Sequence, residues 1–301
     1  MSLQARRLIR KMRGGAQAHL IEANDGAFYV VKFVNNPQHR RILVNEWLAT
    51  SFLRHLQIHV PDCAAIELTQ DFIAESPDLY LAVGSRREPV LPGLHFASKL
   101  AVHPDRVAIF DFLPDKLLGK VKNSADFLGT LVFDKWIANA DSRQAVFFRA
   151  RAKTWTPLKG QSSKTGFFVQ MIDHGFAFNG PNWNFQDSPI QGLYFRTSVY
   201  DPVRSLESFE PWLSMVENFP PEMIDAAWRQ IPGTWYANDV TAPAGSSTVN
   251  AGWSAAMRPS ATRAMAASEP ATSHTRSPPS PARQPVTCEV SAMVALGATS
   301  R

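Results

Sequence analysis

The chain has 301 residues, 45% of them apolar, enough to bury a substantial core, and a formal net charge of +5. From Val240 onward five arginines face two glutamates, so the remainder carries only about +2 and bulk charge gives no argument for a polyanion partner. The 2 cysteines, Cys63 and Cys288, exclude a disulfide framework and match no metal spacing; with no signal-peptide pattern and no long apolar run, a cytoplasmic protein is expected.

The opening residues read as strands joined by turns. Residues 8–12 form a first strand, in a region where Arg6, Arg7, Arg10, Lys11 and Arg13 crowd together as a solvated basic face or a local phosphate contact. Gly14-Gly15-Ala16-Gln17 then turns the chain into a strand over 18–23. Asn24-Asp25-Gly26 supplies the residues that tolerate positive φ for a hairpin into 28–34. Asn36-Pro37 is a helix-start signal, and 40–56 carries Leu43, Val44, Trp47, Leu48 and Phe52 at helical spacing. Val60-Pro61 ends that helix, and 64–68 and 79–83 read as strands.

Past Pro89, Pro92 and Gly93 the pattern turns helical, most clearly over 124–138, where Phe127, Leu128, Leu131, Val132 and Trp136 share one side. Residues 146–149 and 166–172 read as a hairpin across the polar loop 156–165, and helices are expected over 206–217 and 221–229. From Val240 the composition shifts to Ala, Ser, Thr and Pro without periodicity, which predicts disorder. The expected division is a β-rich unit over 1–84, a mainly helical unit over 85–239, and a tail over 240–301.

Several residues point to chemistry. Lys32, in Tyr29-Val30-Val31-Lys32-Phe33, could meet nucleotide phosphates, although a lone strand lysine is ordinarily a solvated edge charge. Glu46 lies among apolar helix neighbours and needs a cationic partner, for which Lys32 is the candidate. Gly14 and Gly15 would let backbone amides approach phosphates, or form a plain turn. The run Lys159–Gly166 lacks the spacing of a phosphate-binding loop and reads as an ordinary loop. Asp141, after Asn139-Ala140, could orient the proton of an attacking hydroxyl. Asp173 follows the apolar run 167–172, where a carboxylate is costly without a cation or donors. His174 has no ligand-spaced partner for zinc.

Gly14-Gly15-Ala16-Gln17-Ala18-His19-Leu20, Tyr29-Val30-Val31-Lys32-Phe33, Asn45-Glu46-Trp47-Leu48-Ala49, Asn139-Ala140-Asp141-Ser142-Arg143 and Ile172-Asp173-His174-Gly175 together resemble the HipA-like kinase domain family of bacteria, over about Ala5 to Tyr236. The resemblance implies an α+β, two-lobed protein-kinase-like fold: an N-terminal antiparallel sheet with one helix, a mainly helical C-terminal lobe and a disordered tail. It implies ATP and Mg²⁺ as cofactors and an acceptor hydroxyl, a Ser or Thr of a protein or a small molecule. An antitoxin-like partner and a link to growth arrest also follow from the resemblance. On the same ground Lys32 would contact the phosphates with Glu46 positioning it, Asp141 would be the catalytic base and Asp173 the magnesium ligand. Gly14, Gly15 and Gln17 would belong to the loop over the nucleotide.

Two positions depart from that pattern. Val146 stands where a second metal-binding asparagine is expected five residues after Asp141, leaving Gln144 as the nearby amide. Arg143 stands where the family commonly has histidine. A catalytically weak or inactive nucleotide-binding interaction module is therefore the alternative reading. A basic nucleic-acid binder, resting on residues 1–13, is a third, and it lacks a recognition element in the body of the chain.

Overall fold

The computed structural model describes residues 2–151, 165–186 and 190–237. In chain order the main elements are β1 (Leu3–Lys11), β2 (His19–Ala23), β3 (Phe28–Lys32), α1 (Arg41–His55), β4 (Cys63–Leu68), α2 (Gln70–Ala74), β5 (Tyr80–Val83), β6 (Arg86–Pro89), β7 (Gly93–Lys99), β8 (Ile109–Phe110), α3 (Asp115–Leu118), α4 (Asp126–Trp136), β9 (Gln144–Arg151) and β10 (Thr165–Ile172). Helices Trp212–Glu217 and Pro221–Arg229 follow.

The hairpin between β2 and β3 forms where Asn-Asp-Gly was expected. Gly26 takes φ +75 and the Asp25 carboxylate accepts the Ala27 amide at 2.9 Å, an Asx turn that closes the loop locally. Strands β1, β2, β3, β7 and β4 close into a barrel in that order. Ile21, Val31, Phe33, Ile66, Leu68 and Ala97 fill it, together with Leu81 from β5. A second core gathers Leu43, Trp47, Leu48 and Phe52 of α1 with Phe127 and Phe133 of α4, Phe147 of β9, Met171 of β10 and Trp235. Helix α1 is thus packed from both sides: from Ile42 to Leu53 only Ser51 is not buried. A helix apolar nearly all round is buried all round, and this drags Asn45 and Glu46 inside.

The structure departs from the sequence expectations in several places. The expected antiparallel sheet is a closed barrel, because β4 pairs in parallel with β1 (Leu3↔Ile66). The expected boundary at 84 falls inside this β region: Gly84, at φ +61, is the turn of the β5–β6 hairpin, and the chain returns as β7 between β3 and β4. Residues 93–99 are a strand because backbone partners on both sides outweigh a weak helical pattern. The second half holds the sheet β10-β9-β8 beside its helices. Asn36 caps no helix: its side chain donates to the Phe33 carbonyl at 2.8 Å and accepts the Gln38 amide at 2.9 Å, and α1 starts at Arg41.

The stretch 206–217 is broken at Pro211 into a short 3₁₀ turn, Leu206–Phe209, and a helix, because proline lacks an amide to continue the ladder. On α4 the most buried face runs through Phe127, Thr130, Phe133 and Asp134, while Leu131 and Trp136 are only half-buried. The hairpin β9–β10 and the helix Pro221–Arg229 stand as expected. The loop 156–164, the lysine-bearing run up to Lys164, Cys288 and the tail from 240 lie outside the described residues.

Candidate active site

Lys32, at the end of β3, points its ammonium at two carboxylates. It donates to Glu46 Oε1 on α1, 14 positions away, and at 2.7 Å to Asp173 Oδ1 just past β10, 141 positions away. Glu46 Oε1 also accepts the His174 amide at 3.0 Å, so one oxygen ties α1 to both strands. Burial works against the lysine's charge, but Asp173 and then Glu46 more than reverse this and hold the ammonium above the ordinary lysine range. Lys32 in turn holds the Asp173 carboxyl below its ordinary value, against burial. Burial pushes Glu46 up, with Lys32 opposing. Glu46 is 3% exposed, whereas 35% of the Asp173 side chain is open. Asp173 is therefore an ionised carboxylate that an incoming ligand can reach.

Asp141 lies in the loop between α4 and β9, half-buried, with its Oδ1 accepting the Ser142 amide at 2.7 Å and its amide bound by Asn139 Oδ1 at 3.2 Å. This loop runs beside the segment after β10. Gln144 pairs with Ile172 in the β9–β10 ladder, the Ala140 amide donates to the Phe176 carbonyl at 3.0 Å, and the amides of Phe178 and Asn179 donate to Ile137 and Ala138. Four non-glycine residues here adopt positive φ: Ala138 (φ 51), Asp173 (φ 58), Phe178 (φ 59) and Asn179 (φ 61). Such strain persists only where surrounding contacts over-determine the backbone, as they do at functional sites.

The glycine turn lies between β1 and β2, with Gly14 at φ +118 and Gly15 against the Gln38 amide of the β3–α1 connection. Gln17 does not offer its amide to this space. It bridges to β5, donating to the Ala82 carbonyl at 2.7 Å and accepting the Ala82 amide at 2.8 Å and Lys11 at 2.7 Å. Its visible work is anchoring the turn. Gln144 is exposed at the head of β9, paired with Asp173's neighbour Ile172, while Val146 faces Gln170 two rungs deeper.

Three residues were given no role from the sequence, Arg143 being noted there only as a departure from the family pattern. Arg143 and Asp134 form a buried ion pair: Arg143 Nε donates to Asp134 Oδ2 at 2.8 Å and a terminal nitrogen to Oδ1. Asn45 donates to the Gly175 and Gly180 carbonyls at 2.7 and 3.0 Å and accepts from Trp183 Nε1 at 2.8 Å, pinning the segment after Asp173 onto α1. The available signal was polar side chains, Asn45 and Asp134, on helix faces that had to be buried.

A family model of HipA-like kinases matches residues 6–251, and the chain belongs to that family; it is a kinase by kinship. No curated protein matches. Among solved structures the chain is similar to the Golgi casein kinase with Mn and ADP bound (TM-score 0.47, 12% identity, 88% of this chain and 72% of that one). It is also similar to the Helicobacter pylori proinflammatory kinase CtkA (TM-score 0.38, 12% identity, 87% and 94%). Among the described residues no cluster of three His, Cys, Asp or Glu side chains forms a metal cage, and no helix is long and apolar enough to cross a membrane.

Proposed function

We propose that the protein transfers the γ-phosphate of ATP to a hydroxyl of a polypeptide, a Ser or Thr, with Mg²⁺ as the divalent cation. The observation that carries this is the Lys32 ammonium of β3 held between Glu46 of α1 and Asp173 past β10, 141 positions away, and joined to both at one buried charge. Lys32 would contact the phosphates, with Glu46 fixing its position. Gly14 and Gly15 would cover them, their backbone free of side chains that hinder close approach. Asp141 would accept or orient the proton of the attacking hydroxyl.

The donor set suits magnesium. Mg²⁺ in nucleotide sites takes one or two protein oxygens and fills its shell with phosphates and water, so a lone ionised Asp173 with the exposed Gln144 beside it needs no carboxylate cage. When bound, the ion supplies neutralisation of the charge on the phosphates. A polypeptide acceptor is favoured by the apolar surface next to Asp141. The Gly192 amide donates to the Asp141 carbonyl at 3.2 Å, and three residues on Phe195 is 64% exposed beside Phe112 at 52%, with Arg196 stacked over both rings. Exposed apolar groups gathered like this mark a contact surface. The cysteine-poor sequence fits a cytoplasmic setting, and an antitoxin-like partner is part of the same reading.

A second reading, a nucleotide-binding module that does not transfer phosphate, rests on Val146. Incubation with labelled ATP, Mg²⁺ and a Ser/Thr protein acceptor decides between them. Transfer that falls by about 10²-fold or more in Asp141→Asn, with nucleotide affinity kept, supports the kinase; tight nucleotide binding without transfer in the intact protein supports the module.

A further inference from the structure

We propose that Arg143 is a positioning residue: with Asp134 it forms a rigid buried link that sets the Asp141 loop against Asp173. The inference rests on the kinase reading for its catalytic meaning and on geometry for the link itself. Arg143 is 2% exposed and its guanidinium reaches two other segments. Nε and one terminal nitrogen grip the Asp134 carboxylate of α4, and the other terminal nitrogen donates to the Ile172 carbonyl at 3.1 Å and to His174 Nδ1 at 2.8 Å. Ile172 and His174 are the neighbours of Asp173 on either side. Holding both fixes the left-handed backbone of the residue between them.

The same Asp134 Oδ1 accepts Asn139 Nδ2 at 3.0 Å, and Asn139 Oδ1 accepts the Asp141 amide at 3.2 Å. A continuous path of hydrogen bonds therefore runs from Asp141 through Asn139, Asp134 and Arg143 to both sides of Asp173. The Arg143 amide adds a third segment by donating to the Leu193 carbonyl at 3.1 Å. A planar fork with donors on three nitrogens is what this junction requires: it can grip a carboxylate with two parallel bonds while its remaining nitrogen serves other acceptors. Lysine, a single ammonium, cannot span the four acceptors. Arginine at this position, where the family resemblance leads one to expect histidine, is thus a built feature of this chain.

A buried ion pair that merely holds the fold makes a different prediction, because replacing both partners by apolar residues of similar size is often neutral for stability. Wild type, Arg143→Lys and the double variant Asp134→Leu/Arg143→Met are compared by amide hydrogen exchange without nucleotide and by KM and kcat with ATP. In both variants exchange is expected to rise together over 138–144 and 172–176, with KM for ATP within about 3-fold and kcat lower by about 10²-fold, the scale of a 1 Å misplacement. A folded variant with wild-type kcat, or with exchange raised in only one of the two segments, overturns the assignment. If the double variant does not fold, Arg143→Lys decides alone. If wild type transfers no phosphate, the kinase reading fails, and the nucleotide-free exchange still decides for or against the link.

Discussion

Replacing Lys32 by Met leaves two carboxylates facing each other without their shared cation. Lys32 is 8% and Glu46 3% exposed, so the pair lies in the regime where removing one partner of a buried ion pair costs about 3–5 kcal/mol. Asp173, with 35% of its side chain open, relaxes into solvent and adds little. A loss of about 4 kcal/mol is expected, which for a domain of this size lowers the melting temperature by about 8–16 °C.

The cause is the stranded Glu46 charge, and this fixes the pH dependence. Burial without Lys32 raises the folded Glu46 pKa above its unfolded value, so the folded state takes up a proton first and the deficit relative to wild type narrows as pH falls from 7.5 toward 5.5. Lys32→Met/Glu46→Gln should recover most of the stability and none of the phosphoryl transfer. Urea denaturation at both pH values measures all of this. Equal stability of Lys32→Met and wild type at pH 7.5, or a deficit that does not change with pH, would refute the reasoning.

His95 accepts the Val34 amide at 3.2 Å and donates to the Leu91 carbonyl at 2.9 Å, and burial pulls its pKa down to about 4. The unfolded chain then binds a proton that the folded chain refuses, so stability is full above about pH 6.5 and falls by about 3 kcal/mol as pH drops toward 4; His95→Gln should flatten that slope in denaturation at pH 7.5 and 5. Gly175→Ala would place a methyl 2.6 Å from Ile42 Cγ2, one turn from Glu46 on α1. It is expected to cost about 1–3 kcal/mol and to lower transfer further than stability, and unchanged melting and rate would show that the segment yields freely. Val146→Asn returns an amide to the position facing Gln170 and should raise transfer several-fold at limiting Mg²⁺, with Gln144→Ala acting in the opposite direction. Metal titrations that do not separate the two variants would remove both positions from the cation's surroundings.

Local signals were legible where the physics is local. Asn-Asp-Gly fixed the β2–β3 hairpin because those residues accept its backbone, and apolar runs on either side of a polar loop marked β9 and β10. The pairing of Lys32 with Glu46 was also within reach, since a strand and the next helix are neighbours and a buried carboxylate demands a cation. The helical reading after Pro89 failed at β7, whose strand character comes from β3 and β4 on its flanks and not from its own periodicity.

By itself, the order of residues determined which segments turn, which must be buried and which charges would need partners, because backbone preference and desolvation act wherever a residue sits. Tertiary structure decided who those partners are. It set Asp173 beside Lys32 across 141 positions, gave Asp134 to Arg143 and turned Gln17 toward β5. Those choices depend on how the barrel, α1 and α4 pack together, and no pattern along the chain encodes a distance through space.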